Sequence, residues 1–153
     1  MHENGNCSYY FDTKIKGIKQ MKAVEVLNNH KLKRTSCREG IIEVVTSSDY
    51  ALSENEIKEK LQGNYDRTTF YRSFKTLEEH NILHKIVVDN QNIKYAYNKS
   101  TSKEIEHIHF YCEKCQSVKC IETEMTNKYN LPEGYSFVEA DILIKGLCSK
   151  CKL

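Results

Sequence analysis

From residue 18 to residue 81 the apolar positions recur at helical spacing. Ile18, Met21, Val24 and Leu27 form a first stripe, which ends in the basic stretch Lys31-Leu32-Lys33-Arg34. Ser36-Cys37-Arg38-Glu39 has the form of a capping box and opens a second helix with Ile41, Ile42 and Val45 inside. Ser53-Glu54-Asn55-Glu56 repeats that form and opens a third, with Ile57 and Leu61 inside and Gly63-Asn64 as its stop. Asp66 caps a fourth helix whose apolar face is Phe70, Phe74 and Leu77, and His80-Asn81 ends it.

After residue 81 the period shortens to two. Residues 82–88 and 93–97 read as strands around Asp89-Asn90-Gln91-Asn92, a hairpin. Helices with a turn between the last two, followed by a hairpin, predict a winged helix-turn-helix over residues 18–98. Residues 1–17 read as a leader, and 99–104 as a polar linker. Three more strands are expected at 105–112, 117–122 and 135–147, with Leu131-Pro132-Glu133-Gly134 as the turn before the last. The fold class is therefore α+β.

A chain of 153 residues suits one domain or two small ones. A lobe of about 60 residues is only marginally stable on its own core, so one built after residue 100 needs a staple or a partner. No apolar run approaches the roughly 18 residues of a membrane span. The start, Met1-His2-Glu3-Asn4-Gly5-Asn6-Cys7, lacks the basic head and apolar stretch of a secretory signal. Seven cysteines in such a chain imply a reducing cytoplasm, where Cys-x-x-Cys serves metal or redox chemistry rather than structural disulfides. The net charge is +2, but it is uneven: residues 14–99 carry 16 Lys/Arg against 11 Asp/Glu, and residues 100–153 carry 7 against 8. The first part is biased toward a polyanion and the second is not.

Two motifs carry chemistry. Cys112-Glu113-Lys114-Cys115 and Cys148-Ser149-Lys150-Cys151 are two knuckles, 32 residues apart, whose four thiolates match the tetrahedral shell of a structural zinc ion. The alternative is a thiol-based redox sensor using the same pairs. On the fourth helix, Arg67, Tyr71 and Lys75 fall at i, i+4 and i+8, with Thr68 and Arg72 beside them and Phe70 and Phe74 turned away. Arginine reads guanine bidentately, and hydroxyl groups hold phosphate, so this stripe suits double-stranded DNA; the alternative is a solvated helix face.

Taken together, Thr35-x-x-Arg38, residues 66–74, residues 77–83, His107-Ile108-His109-Phe110-Tyr111-Cys112, Cys115 and residues 146–151 resemble the ferric uptake regulator superfamily over about residues 20–153. The resemblance implies a bacterial, homodimeric, metal-linked transcription regulator, a repressor rather than an enzyme, with a winged-helix lobe followed by a small α/β dimerisation lobe over 105–153 that bears the four-cysteine zinc knuckle. It assigns DNA contact to Tyr71 and Arg72 and adds Thr35 and Arg38. It implies no membrane and no small-molecule substrate.

The resemblance also implies an exchangeable metal site at the hinge, and here the chain departs from the pattern. Ala51 stands where a hinge histidine is expected, Ala96 where the last wing strand carries an acid, Cys120 where an acid follows the knuckle, and Ala140 where a histidine precedes the final glycine. The expected helix of the second lobe is shortened to about 123–130. His107 and His109 share one strand face. With Cys120, and Glu122 near in sequence, they offer a nitrogen and sulfur set that suits Zn²⁺ better than oxygen-loving Fe²⁺ or Mn²⁺. The alternatives are a constitutive DNA-binding member without sensing, or a zinc hydrolase on the same three residues, for which no positioned general base offers itself. His2, His30, His80 and His84 read as surface or helix-end residues, Cys7 as a tail thiol, and Cys37 as helix packing.

Overall fold

The computed structural model describes residues 22–99, 107–122, 130–137 and 140–152. The leader, most of the linker and the expected helix at 123–130, apart from residue 130, lie outside them. So do Ile18 and Met21 of the first stripe.

Helix α1 is Ala23–Asn29, and it buries Ala23, Val26 and Leu27 rather than a stripe through Val24. Lys31 follows in the left-handed region (φ 54°), so that the Leu32 N–H returns to the Leu27 carbonyl at 2.9 Å. Helix α2 is Ser36–Thr46, with Cys37, Ile41, Ile42 and Val45 inward. Its cap is Thr35, whose hydroxyl accepts the Arg38 N–H; the box expected from Ser36 is displaced by one residue. Glu39 is instead taken by Arg34, at 2.7 Å.

Helix α3 is Glu54–Lys60, opened by the expected reciprocal box: Ser53 N–H donates to Glu56 Oε2 at 2.6 Å and Glu56 N–H to Ser53 Oγ at 3.3 Å. Helix α4, Arg67–Glu79, begins at Asp66, which accepts the N–H groups of Thr68 and Thr69 at 2.9 and 3.0 Å. It buries Phe70, Ser73, Phe74 and Leu77. Asn81 ends it at φ 55°, with Ile82 folding back onto Leu77.

Strands β1 (Leu83–Val87) and β2 (Ile93–Tyr97) form the wing, an antiparallel pair with His84 opposite Ala96. Asp89 closes its turn by accepting the N–H groups of Gln91 and Asn92. One core joins these elements: Val26, Leu27, Ile41, Ile42, Ile57, Phe70, Leu77, Ile82 and Leu83 are almost wholly enclosed. Tyr95 sets its ring edge-on to Phe74 at 4.7 Å, which ties the wing to α4.

The second lobe centres on β3 (His107–Cys112), flanked by antiparallel β4 (Val118–Glu122) and parallel β5 (Leu143–Gly146). The third expected strand is thus only four residues long. Tyr135 and Phe137 are 72% and 50% exposed and outside any strand, while Ile142 still accepts the His109 N–H. A strand at 135–137 would have no buried face to drive it.

The lobes meet along a second apolar cluster. Ala51, Ile86, Val88 and Val118 are buried there, with Ala96, Tyr111, Cys120 and Leu143 packed around them. The backbone joins too: Ala51 N–H donates to the Val118 carbonyl at 2.8 Å, and its neighbour Leu52 exchanges bonds with Tyr95 of the wing.

Candidate metal and nucleic-acid sites

Cys112 ends β3 and Cys115 closes the tight turn that follows, where Gln116 takes φ 59°. Cys148 and Cys151 occupy the corresponding turn just after β5. The parallel pairing of Cys112 with Gly146 brings the two turns side by side. All four Sγ atoms lie within 4.8 Å of one another, and Cys115 Sγ is 3.9 Å from Cys148 Sγ. Sulfurs about 2.3 Å from a tetrahedral ion stand about 3.8 Å apart, so the spacing fits zinc.

The polar surroundings fit as well. The Cys148 N–H donates to Cys112 Sγ at 3.3 Å, and Cys115 Sγ and the Ser117 hydroxyl are 3.1 Å apart. Burial works to raise the Cys112 thiol, but N–H donors from Cys115, Cys148 and Lys114 outweigh it and bring the group down to about 6. At the other extreme Cys151, hydrogen-bonded to the neighbouring sulfur of Cys148, is pushed up to about 12. The Cys112 thiol is thus the readiest of the four to lose its proton, and a cation between the sulfurs would favour deprotonation of the others. A cleft of about 220 Å³ between the lobes, lined by Tyr50, Glu56, Lys94, Cys115 and Cys148, gives solvent a path to the cluster.

A second cluster stands at the lobe junction. The structure brings together His109 and Cys120, which face each other across the β3–β4 ladder, and adds His84 from the wing. His84 Nε2 lies 3.1 Å from His109 Nε2 and 3.6 Å from Cys120 Sγ. His109 is buried, and burial raises the Cys120 thiol to about 11. His84 is thus not the partnerless surface residue that the sequence suggested. His107 falls two residue pairs further along the ladder, opposite Glu122, and its side chain lies outside the described residues. Glu122 is exposed and pairs with Lys99 at 3.7 Å.

On α4, Arg67, Thr68, Tyr71, Arg72 and Lys75 are all exposed along one stripe, and Tyr71 shows 55% of its surface. Only Lys75 has a charge partner among the described residues, Glu79 at 3.8 Å. Thr35 and Arg38 behave differently. Thr35 spends its hydroxyl on the α2 cap, and Arg38 donates to the Lys33 carbonyl at 2.7 Å and to Thr76 Oγ1 of α4 at 3.5 Å. Cys37 is buried beside Ser73, as its expected packing role requires.

A winged helix tied to a small sheet lobe, with a four-thiol cluster and an imidazole–thiol cluster at the junction, defines a two-lobed, metal-binding winged-helix protein. Residues 29–140 match the profile of the Ferric uptake regulator family, and the chain belongs to that family, one of transcription regulators rather than enzymes. Among solved structures it is similar to a zinc uptake regulator complexed with zinc and DNA, with a TM-score of 0.61, 20% identity, and coverage of 85% of this chain and 90% of that one. It is similar also to the Pseudomonas aeruginosa ferric uptake regulator with manganese (0.61, 17%, 85% and 100%) and to the Helicobacter pylori ferric uptake regulator (0.59, 19%, 84% and 87%). At these identities the likeness speaks for the fold. No curated protein sequence matches the chain.

Proposed function

We propose that the chain is a homodimeric, cytoplasmic repressor that binds double-stranded DNA through α4 and whose affinity for DNA is set by a divalent metal at the lobe junction. The observation that carries the reading is the exposed stripe Arg67, Thr68, Tyr71, Arg72 and Lys75 on a helix anchored by Phe70, Phe74 and Leu77. A recognition helix needs this division between a fixed inner face and a free polar outer one. Thr35 and Arg38 act as positioning residues: they fix the start of α2 and, through Thr76, the last turn of α4.

The four cysteines hold a structural Zn²⁺. The outer face of the second-lobe sheet carries Ile121 and Ile144, both exposed, with Leu147 nearby. An apolar face of this kind suits a second copy of the chain. No described helix is long and apolar enough to cross a membrane.

The test is selection of duplexes from a randomised pool by the purified full chain, with and without a chelator, followed by a reporter assay on the selected sequence. The expected result is an inverted repeat, recovered only with metal present, whose placement in a promoter lowers transcription. Failure to enrich any sequence under either condition would overturn the reading.

A further inference from the structure

We propose that Lys58, Asn64 and Tyr65 grip a phosphate of the DNA backbone at the turn between α3 and α4, and that this turn, not the tip of the wing, supplies the hold on the backbone beside the reading helix. The contact presupposes α4 as the DNA-reading helix and adds a second point of attachment next to it.

The turn has its own small cleft. Lys58, Leu61, Gly63, Asn64, Tyr65 and Phe70 enclose about 100 Å³ at the start of α4. Its floor is apolar, since Phe70 is buried and Leu61 and Tyr65 pack on the core of the first lobe. Its rim carries an ammonium, an amide and a phenol hydroxyl, all of which donate hydrogen bonds. In a helix-turn-helix the N-terminal residues of the second helix meet base edges while the first helix crosses the backbone. Phe70 belongs to the first turn of α4 and Lys58 to α3, so the cleft joins the two elements that such docking places on bases and on backbone.

Two of the three donors are ordered in advance. The Lys58 ammonium stands 6.0 Å from the centre of the Phe70 ring, at the limit of a cation–π contact, and has no carboxylate partner among the described residues. The hydroxyl end of Tyr65 rests on Gly63, where a side chain would meet the ring at 3.1 Å and the hydroxyl at 3.2 Å. Gly63 also holds φ 128°, a conformation that favours glycine, so the turn and the phenol fix each other. Donors already ordered lose less freedom on binding. Two acids stand close in sequence. Asp66 spends its oxygens on the N–H groups of Thr68 and Thr69 and on the Thr69 hydroxyl. Glu59 lies about 100° around α3 from Lys58.

The wing is built differently. Its tip, Asp89-Asn90-Gln91-Asn92, is one carboxylate and three amides, without a cation. Asp89 turns its carboxylate onto the N–H groups of Gln91 and Asn92. Of the two lysines on its strands, Lys94 is held by Glu56 at 2.8 Å, and Lys85 stands mid-strand opposite Tyr95. A tip of this composition has no charge with which to replace the counterions of a phosphate.

The full chain, titrated against the selected duplex and a scrambled one at several salt concentrations, tests the assignment. Lys58→Met keeps the stem over Phe70 and removes the charge. It should lower affinity for both duplexes roughly 10-fold and reduce the salt slope by about 0.9, and Lys58→Arg should restore the slope. Tyr65→Phe should lower both affinities by about 3- to 10-fold without moving the slope. Gln91→Ala and Lys85→Ala should leave both unchanged. Duplexes carrying one neutral methylphosphonate at a time locate the contact: at one phosphate of each half-site the wild type should lose affinity and Lys58→Met should lose no more. An unchanged urea midpoint keeps a lost fold from passing as a lost contact. A salt slope unmoved by Lys58→Met, or moved by the wing variants instead, would overturn the proposal. If Arg72→Ala relaxes base preference while Lys58→Met and Tyr65→Phe bind as the wild type does, the reading helix stands and the backbone contact falls. If the chain holds neither duplex, both fall.

Discussion

The two lobes reach stability by different physics. The first encloses more than a dozen apolar side chains from four helices and the wing, with Leu27, Ile41, Ile42, Ile57 and Leu77 excluded from solvent. In the second, the described buried residues are Cys112, Val118 and His109. Val118 packs against the first lobe, Cys112 belongs to the thiol cluster and His109 to the junction cluster. One lobe folds by removing apolar surface from water, and the other by gathering sulfur and nitrogen. On the proposed reading, loss of metal from the second lobe would leave the first, with α4, in its shape.

The largest effect expected is that of losing the structural ion. A site of this kind contributes about 10–16 kcal/mol that appears as folding energy. Cys112→Ser should therefore unfold the second lobe, release its zinc and abolish the dimer, while the first lobe keeps its helices. Zinc content, size-exclusion and limited proteolysis check this; a normal dimer with normal zinc would remove the contrast between the lobes.

Next comes the apolar core. Phe74→Ala, which takes away the ring between Phe70 and Tyr95, should cost the first lobe about 3–5 kcal/mol. Urea unfolding should show the loss, and the zinc of the second lobe should stay bound. On the outer face of the same helix, Arg72→Ala should lower affinity for the selected duplex by about 1–3 kcal/mol and relax base preference. Arg67→Ala should weaken all duplexes alike and reduce the salt slope by about one. Titrations against selected and scrambled duplexes at several salt concentrations separate the two, and neither change should move the melting of either lobe.

The smallest effect belongs to Glu56, which caps α3 and also holds Lys94 of β2 at 2.8 Å. Burial works to raise its carboxyl, but Lys94 and Ser53 outweigh it and hold the group below its ordinary value. A lowered carboxylate contributes stability that is present above the unfolded value and is lost as pH falls through the folded one. Glu56→Gln should therefore cost about 1 kcal/mol at neutral pH, in line with a lost cap on a partly exposed pair. The gap should close in acid, and urea unfolding at the two pH values measures it.

Much of the first lobe was legible because its signals are local. Ser53 and Glu56, or Asp66 with the N–H groups of Thr68 and Thr69, lie within one helical turn of each other. Thr35 was missed as a cap because Ser36 and Glu39 imitate the same pattern one residue later, and Arg34 had the stronger claim on Glu39. The four cysteines were legible because the spacing within each pair already makes a turn. His84 was not: its partners lie 25 and 36 residues further on, and nothing in Leu83–Val87 distinguishes an exposed wing position from one facing another lobe. The strand expected at 135–147 failed for a related reason. Alternation predicts an extended chain, but only a neighbour with free backbone groups makes a strand, and β3 accepts β5 over four residues alone.

Ala51 and Leu52, one bond apart in the chain, have amides with different owners. The Leu52 N–H is held by Tyr95 inside the first lobe, and the Ala51 N–H by Val118 across the junction. Hydrogen exchange at these adjacent amides is therefore a calibrated gauge of lobe separation. A swing that parts the lobes without unfolding either should expose Ala51 to deuterium and leave Leu52 protected, and only global unfolding should release both. The ratio of the two rates reports on how firmly the two lobes are held together.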